Sequence, residues 1–393
     1  MPLCVTVTPA QFETEHADFR PLYCNNTRWE ETNMADKHRP RRGSMAFSPR
    51  KRANRQHGRV KSWPTTNSDE VRVQGFAGWK AGMTHILMRD LNPYSPSAGA
   101  ELRTAVTVVE VPPIRVLAVR GYHMTPYGLQ TAGESWADSD SLDENVIGLF
   151  PRLANRSKAE SLPEGYKPAK RAGRQPKPQN HDSDANFDAL KDMILEEVRI
   201  LVATQPTMVS GSPSKTPEIM ELGLTGGDVS SQLDWAKERL GEEIEFTDVY
   251  SEGEDVDVIG ITKGKGFQGS VKRWGVKLLS HKNSKRRRQA GNLGDFGTGY
   301  VRSTVPQAGQ VGFHHRTEYN KRLLRISTPD ENEITPAGGF LKYGEVKNQY
   351  VIVKGSLPGP SKRLLRFRDA TRSQGEKPPV EITYVSTSSK QGV

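Results

Sequence analysis

The stretch VRVQGFAGWKAGMTHILM, residues 71–88, decides the fold class of this chain. Its residues alternate or run apolar, and glycines fall within it at positions that read as turns, a β pattern without helical period. Working outward, TAVTVVEV (104–111) and IRVLAVRG (114–121) are strand-like, and Pro112 and Pro113 punctuate them. The same kind of strand returns at VRILVAT (198–204), DVDVIGIT (255–262), NQYVIVKG (348–355) and VEITYV (380–385). Together they argue for a closed or sandwiched β domain. Two helices are expected between them. Residues 184–197 set Phe187, Leu190, Met193 and Ile194 near helical spacing, and residues 228–240 open on Asp228 and close at Gly241. The expected class is mainly β, with an α+β insertion at about 181–250 in a body spanning 67–393.

Charge is as informative as hydropathy. From Lys263 to Arg325 the chain carries 15 Lys and Arg against only Asp295 and Glu318, and from Lys37 to Lys61 it carries ten and no acid. These two segments hold +23, whereas the whole chain holds +10, so the remainder is near −13. The basicity is focused, not spread as a solubilising coat. Clustered cations engage many phosphates of one polymer and release its condensed counterions, so nucleic acid is the first partner to consider.

The composition narrows the rest. Hydrophobic residues are 34% of the chain while Gly and Pro number 36 and 26, which describes a loop-rich protein. No apolar run reaches the roughly 18 residues that a membrane helix needs. The first residues lack a basic segment followed by an apolar one, so a cytoplasmic protein without a membrane partner is expected. Cys4 and Cys24 are the only cysteines, too few for a disulfide framework or a four-cysteine zinc site. Residues 1–33 are mildly acidic, and the basic phrase at Met34 reads as a start, so 1–33 are expected to be a disordered or misassigned extension. Residues 34–66 are expected to be a basic tail that binds nucleic acid, ordered by its partner and led by Arg41, Arg42, Arg50, Lys51 and Arg52. Residues 151–180, with KPAKRAGRQPKPQ inside, read as an exposed basic loop.

Four phrases carry a resemblance. VQGFAGWKAGMTH (73–85), DVIGITKGKGFQGSVKRWG (257–275), GQVGFHHRTEYNKRLLRI (309–326) and VKGSLPGPSKRLLRFR (353–368) resemble, in order, those of the universal large-subunit ribosomal protein L-three in its archaeal and eukaryotic form. The resemblance covers Met34 to nearly the C-terminus. It implies a six-stranded β-barrel of the translation-protein kind, an extended basic N-terminal tail and a long central extension, here at about 263–325. It further implies binding near the 3′ end of the large-subunit rRNA, nucleation of subunit assembly, and a loop directed toward the peptidyl transferase centre. Neighbouring large-subunit proteins, L-fourteen and L-twenty-four-e, are family-expected partners. No cofactor, metal or small-molecule substrate is expected.

Within these phrases single residues carry distinct expectations. Gly264, Gly266 and Gly269 spell G-x-G-x-x-G after a strand, yet neither a long helix nor a ribose-binding acid follows, so a dinucleotide site is not expected. A tight glycine turn remains one reading. The other is that open glycines let Lys263, Lys265, Lys272 and Arg273, with Trp274 beside them, approach phosphates closely. Lys285, Arg286, Arg287 and Arg288 repel one another and have Asp295 as the nearest acid, so an external polyanion is expected there, with Arg302 adding to it. Phe296, where this branch of the family often has Trp, either packs within a hairpin or stacks on a base. His314 and His315 lack further metal ligands and, with Arg316, Lys321 and Arg322, are expected to bond RNA sugar and phosphate. The family's modified histidine is not carried over, because Ser284 stands at the equivalent spacing from Trp274. Pro358 and Pro360 make a rigid loop, after which Lys362, Arg363, Arg366 and Arg368 form either a third RNA contact or a solubilising surface.

Three functions compete. A structural RNA-binding protein fits all of these features. An RNA-modifying enzyme needs a nucleotide cradle or an activated nucleophile, and GITKGK (260–265) has the wrong spacing and no following Ser or Thr. A free single-strand or chromatin binder fits poorly with an acidic body carrying basic arms.

Overall fold

The computed structural model describes residues 42–65, 68–137, 183–283, 285–294, 297, 299–373, 375, 377–389 and 391. Residues 1–33, Arg41, the expected loop at 151–180, Ser284 and Phe296 lie outside the described residues. The chain is mainly β. It divides into two compact units, one of residues 49–268 and 309–393 and a smaller one that includes 269–308.

The larger unit is built on β2 (Gly75–Arg89), β3 (Glu101–Glu110), β9 (Asp255–Ile261), β12 (His315–Ser327), β13 (Tyr350–Lys354) and β14 (Leu364–Asp369). All pairings among them are antiparallel, in the order β14, β9, β12, β13, β3, β2. Because β14 also pairs with β2, through Leu364↔Trp79 and Phe367↔Phe76, the ladder returns to its own start and leaves no open edge along that half of β2. The other half of β2 pairs with β15 (Glu381–Val385), through Glu381↔Arg89. Two glycines in β2 are there for close approach and not, as expected, for turns. A Cβ on Gly78 would stand 2.7 Å from Val111 Cγ1, and one on Gly82 would run into the Phe340 ring.

A second sheet joins β1 (Arg72–Val73), β7 (Ile219–Thr225), β6 (Glu197–Thr204), β4 (Ile114–Thr125) and β5 (Gly128–Trp136) in that order, with β8 (Glu243–Ile244) beside β4. Helix α1 (Ser183–Lys191) packs on β5, and α2 (Val229–Glu238) packs on β6 and β4. Apart from β1, the second sheet thus begins at Ile114, well before residue 181; it takes in VRILVAT, inside the expected insertion, and also IRVLAVRG, which lies outside it. Alternation reports that a segment is a strand and says nothing about which sheet it joins. The switch falls at Pro112–Pro113: Val111 N–H still donates to Gln349 O at 2.7 Å, and the two prolines that follow have no N–H to extend that ladder. Buried residues of both sheets form one core, and Phe246, two residues after β8, lies within it. Its ring meets Phe76 at 5.1 Å and Phe367 at 5.5 Å, both edge-on, and all three are fully buried.

In the smaller unit, α3 (Ser270–Trp274) is a five-residue helix stopped by Gly275 at φ 69°, where the missing Cβ makes the left-handed turn accessible. A 3₁₀ turn follows at His281–Asn283, and Leu279 N–H donates to Arg287 O at 3.0 Å, closing a loop beneath the basic run. No strand occurs in this unit among its described residues.

Candidate nucleic-acid interface

β10 (Phe267–Gln268) and β11 (Gly309–Gln310) pair antiparallel, with Phe267 opposite Gln310. Lys265 N–H donates to Val311 O and Val311 N–H to Gly266 O, each at 2.9 Å, so the GKGFQG phrase forms one arm of a rigid hairpin base. The tight-turn reading is thereby met by Gly266 at φ 65° and by Gly312 at φ 75°, where a Cβ would run into Lys263 O. Lys263 and Lys265 project from this base and are exposed. Structure and expectation part at the far end: HRTEYNKRLLR (315–325) belongs to β12 and not to an extension, so the excursion itself is 269–308.

Residues 49–65 of the tail contain no helix or strand, and their backbone bonds to the rest of the larger unit. Ala53 N–H donates to Phe313 O at 2.8 Å, His314 Nδ1–H donates to Lys51 O at 2.9 Å, and His315 Nε2 lies 3.0 Å from Arg59 O. Arg363 Nη1 donates to Gln56 O at 3.2 Å while its guanidinium lies over the Phe313 ring, and Arg368 Nη1 donates to Ser62 O at 2.8 Å. Trp63 inserts where two strands lack side chains, its ring within 3.0 Å of where Cβ atoms of Gly75 and Gly223 would be. With the backbone committed inward, the side chains of Lys51, Arg52, Arg55, Arg59 and Lys61 are left exposed.

Several residues expected to touch RNA also make contacts within the protein. His314 and His315 hold the tail. Burial, aided by Lys61, Arg316 and Arg366, holds the His315 ring below the ordinary histidine value, against the opposing bond to Arg59. Arg316 is half-buried and donates to His315 O at 2.8 Å. Lys321 pairs with Glu318 at 3.4 Å, and Arg322 donates to Pro378 O and, at 3.3 Å, to Gly253 O. Arg366 and Arg368 are buried: burial pushes Arg366 down to about 10, and Arg368 pairs with Asp257 at 2.6 Å. Asp257 also accepts from Thr371 N at 3.2 Å and from its hydroxyl at 3.0 Å. In the smaller unit Trp274 is only 8% exposed, and its indole N–H donates to Gln307 O at 2.8 Å, which leaves little ring for a base. Arg273 joins it, donating to the same oxygen at 3.1 Å.

The remaining expected cations face solvent. They are Lys51 and Arg52 in the tail, Lys263 and Lys265 at the hairpin base, Lys362 after the rigid loop, and, in the smaller unit, Arg42, Lys272, Lys285, Arg286, Arg287, Arg288 and Arg302. Arg50 is half-buried. One positioning residue escaped sequence reasoning. Lys80 is buried, and its ammonium donates to Leu357 O at 2.7 Å and Gly359 O at 3.2 Å, fixing the proline loop that presents Lys362. Burial first and Lys263 second push it down to about 8. Its place between apolar neighbours in FAGWKAG was the available signal.

Residues 34–392 match the family model described as ribosomal protein L3. The chain belongs to the L3 family. The match begins at Met34, and residues 1–33 fall outside it. Among similar L3-family proteins, the large ribosomal subunit protein uL3 of Archaeoglobus fulgidus is 49% identical over 358 residues, covering 90% of this chain and 99% of that one. The uL3 proteins of Methanocaldococcus jannaschii and Picrophilus torridus are 46% and 44% identical, over 90% and 91% of this chain and 98% and 100% of theirs.

Proposed function

We propose that this chain is a structural constituent of the large ribosomal subunit, not an enzyme, and that it binds large-subunit rRNA directly in the cytoplasm. The observation that carries the reading is the run from Lys285 to Arg288: four adjacent exposed cations that enter no ion pair with another described residue. Such a run raises the energy of the free protein and is relieved by a polyanion. Family membership supports rRNA as that polyanion. The closed ring of six strands then serves as the family's translation-protein β-barrel, the tail at 42–65 and the excursion at 269–308 serve as its RNA-entering arms, and the excursion points toward the peptidyl transferase centre. Binding near the 3′ end of the rRNA, nucleation of assembly, and association with L-fourteen and L-twenty-four-e complete the proposal.

The test is binding of the full chain to transcripts of the 3′ and the 5′ regions of large-subunit rRNA across a range of salt. Tighter binding to the 3′ transcript, persisting at salt that removes the 5′ complex, supports the proposal. Equal affinity for both at every salt concentration contradicts it.

A further inference from the structure

Phe267 is 76% exposed, although the backbone around it is fixed. It pairs opposite Gln310 in the hairpin base, bonds flank it at Lys265 and Gly266, and Gln268 Nε2 donates to Lys265 O at 2.7 Å. Among the described residues no aromatic or cation–π partner covers the ring. The approach is open as well, since a Cβ on Gly266 would meet nothing within 4 Å and one on Gly264 only Phe313 Cβ at 3.7 Å. The two arms, 262–269 and 309–314, contain Lys263 and Lys265 and no Asp or Glu.

We infer that Phe267 is a stacking platform for an unpaired RNA base, with Lys263 and Lys265 holding the phosphates on either side of it. The inference rests on the RNA-binding reading above and adds a residue to it. A flat ring with an uncovered face, fixed backbone and cationic neighbours is what base stacking uses, because every base offers a π-face and the strand's charge needs neutralising. Preorganisation adds to the gain, as little backbone freedom is left to lose on binding. A protein partner would bury the same ring by hydrophobic contact, for which a branched aliphatic side chain serves about as well. That difference makes the test selective.

Affinity of the full chain for a large-subunit rRNA transcript is measured for Phe267→Ala, Phe267→Leu, Phe267→Trp and the double variant Lys263→Ala/Lys265→Ala, with ultraviolet crosslinking of the native chain mapped by mass spectrometry. Alanine and leucine are expected to weaken binding at least about fivefold with the log-salt slope unchanged, tryptophan to restore it, and a crosslink to appear at Phe267. The lysine variant is expected to lower the slope by about 0.7–0.9 for each phosphate it no longer neutralises. Native affinity in the alanine or the leucine variant, without a crosslink, overturns the inference; if the lysine slope still falls, RNA binding stands and only stacking fails. If none of these variants changes binding, and alanine at all four positions from Lys285 to Arg288 does not either, the RNA reading fails and stacking with it.

Discussion

His315 lies with Nε2 3.0 Å from the carbonyl oxygen of Arg59, a bond across the chain from a ring strand to the basic tail. A histidine in a basic segment reads as an RNA ligand; here its ring nitrogen is spent on holding the segment that carries the cations. The structure thereby separates residues that position charge from residues that present it.

That bond has a pH dependence. Because burial and three neighbouring cations hold His315 below its ordinary value near 6.5, the unfolded chain binds the proton more readily than the folded one. Stability from this group is therefore fully present above about pH 6.5 and is lost as pH falls from there toward the lowered folded value. Hydrogen-exchange protection of the Ala53 amide, corrected for intrinsic rate, is expected to fall over that window and to stay level in His315→Gln, which keeps a donor and does not titrate.

The Asp257–Arg368 pair predicts a large loss from a single change. The two side chains are 0% and 6% exposed, and removing one leaves a charge buried without its partner. Arg368→Leu is expected to cost about 3–5 kcal/mol in thermal or denaturant unfolding.

The exposed run behaves in the opposite way. Changing Lys285, Arg286, Arg287 and Arg288 to alanine is expected to leave stability within about 0.5 kcal/mol of the native value. The same variant lowers the log-salt slope of rRNA binding by about 0.7–0.9 for each phosphate left without its cation.

Gly312 closes the hairpin base from a left-handed conformation, and any Cβ there meets the Lys263 carbonyl oxygen. Gly312→Ala combines backbone strain of about 1–3 kcal/mol with displacement of the Lys263 and Lys265 backbones. The expected outcome is loss of exchange protection at the Lys265, Val311 and Phe313 amides while the ring-strand amides keep theirs.

Much of this was legible in the sequence, for reasons that also explain what was not. Strands such as DVDVIGIT and NQYVIVKG announce themselves by apolar content, and the basic arms by charge. The allocation of IRVLAVRG to a second sheet was hidden, since partner choice lies in long-range register that no local pattern encodes. Arg366 and Arg368 look like surface cations because their acidic partners, Glu218 and Asp257, are more than a hundred residues away in the chain. The contacts of residues 50–65 with the ring strands were hidden because they depend on backbone carbonyls accepting from His314, Arg363 and Arg368, and an accepting carbonyl carries no side-chain signature. Phe267 was legible only as part of a glycine motif; its exposure needed the hairpin base to be seen.

If the chain works as a fixed part of the large ribosomal subunit, RNA is what holds it there. Sedimentation of the native protein through a sucrose gradient, before and after moderate salt washing and after ribonuclease treatment, puts this to the proof. The protein is expected to travel with the large subunit, to survive the salt wash, and to be released only when the RNA is cut. Protein that stays at the top of the gradient, or that leaves the subunit in moderate salt with the RNA intact, is incompatible with such a role.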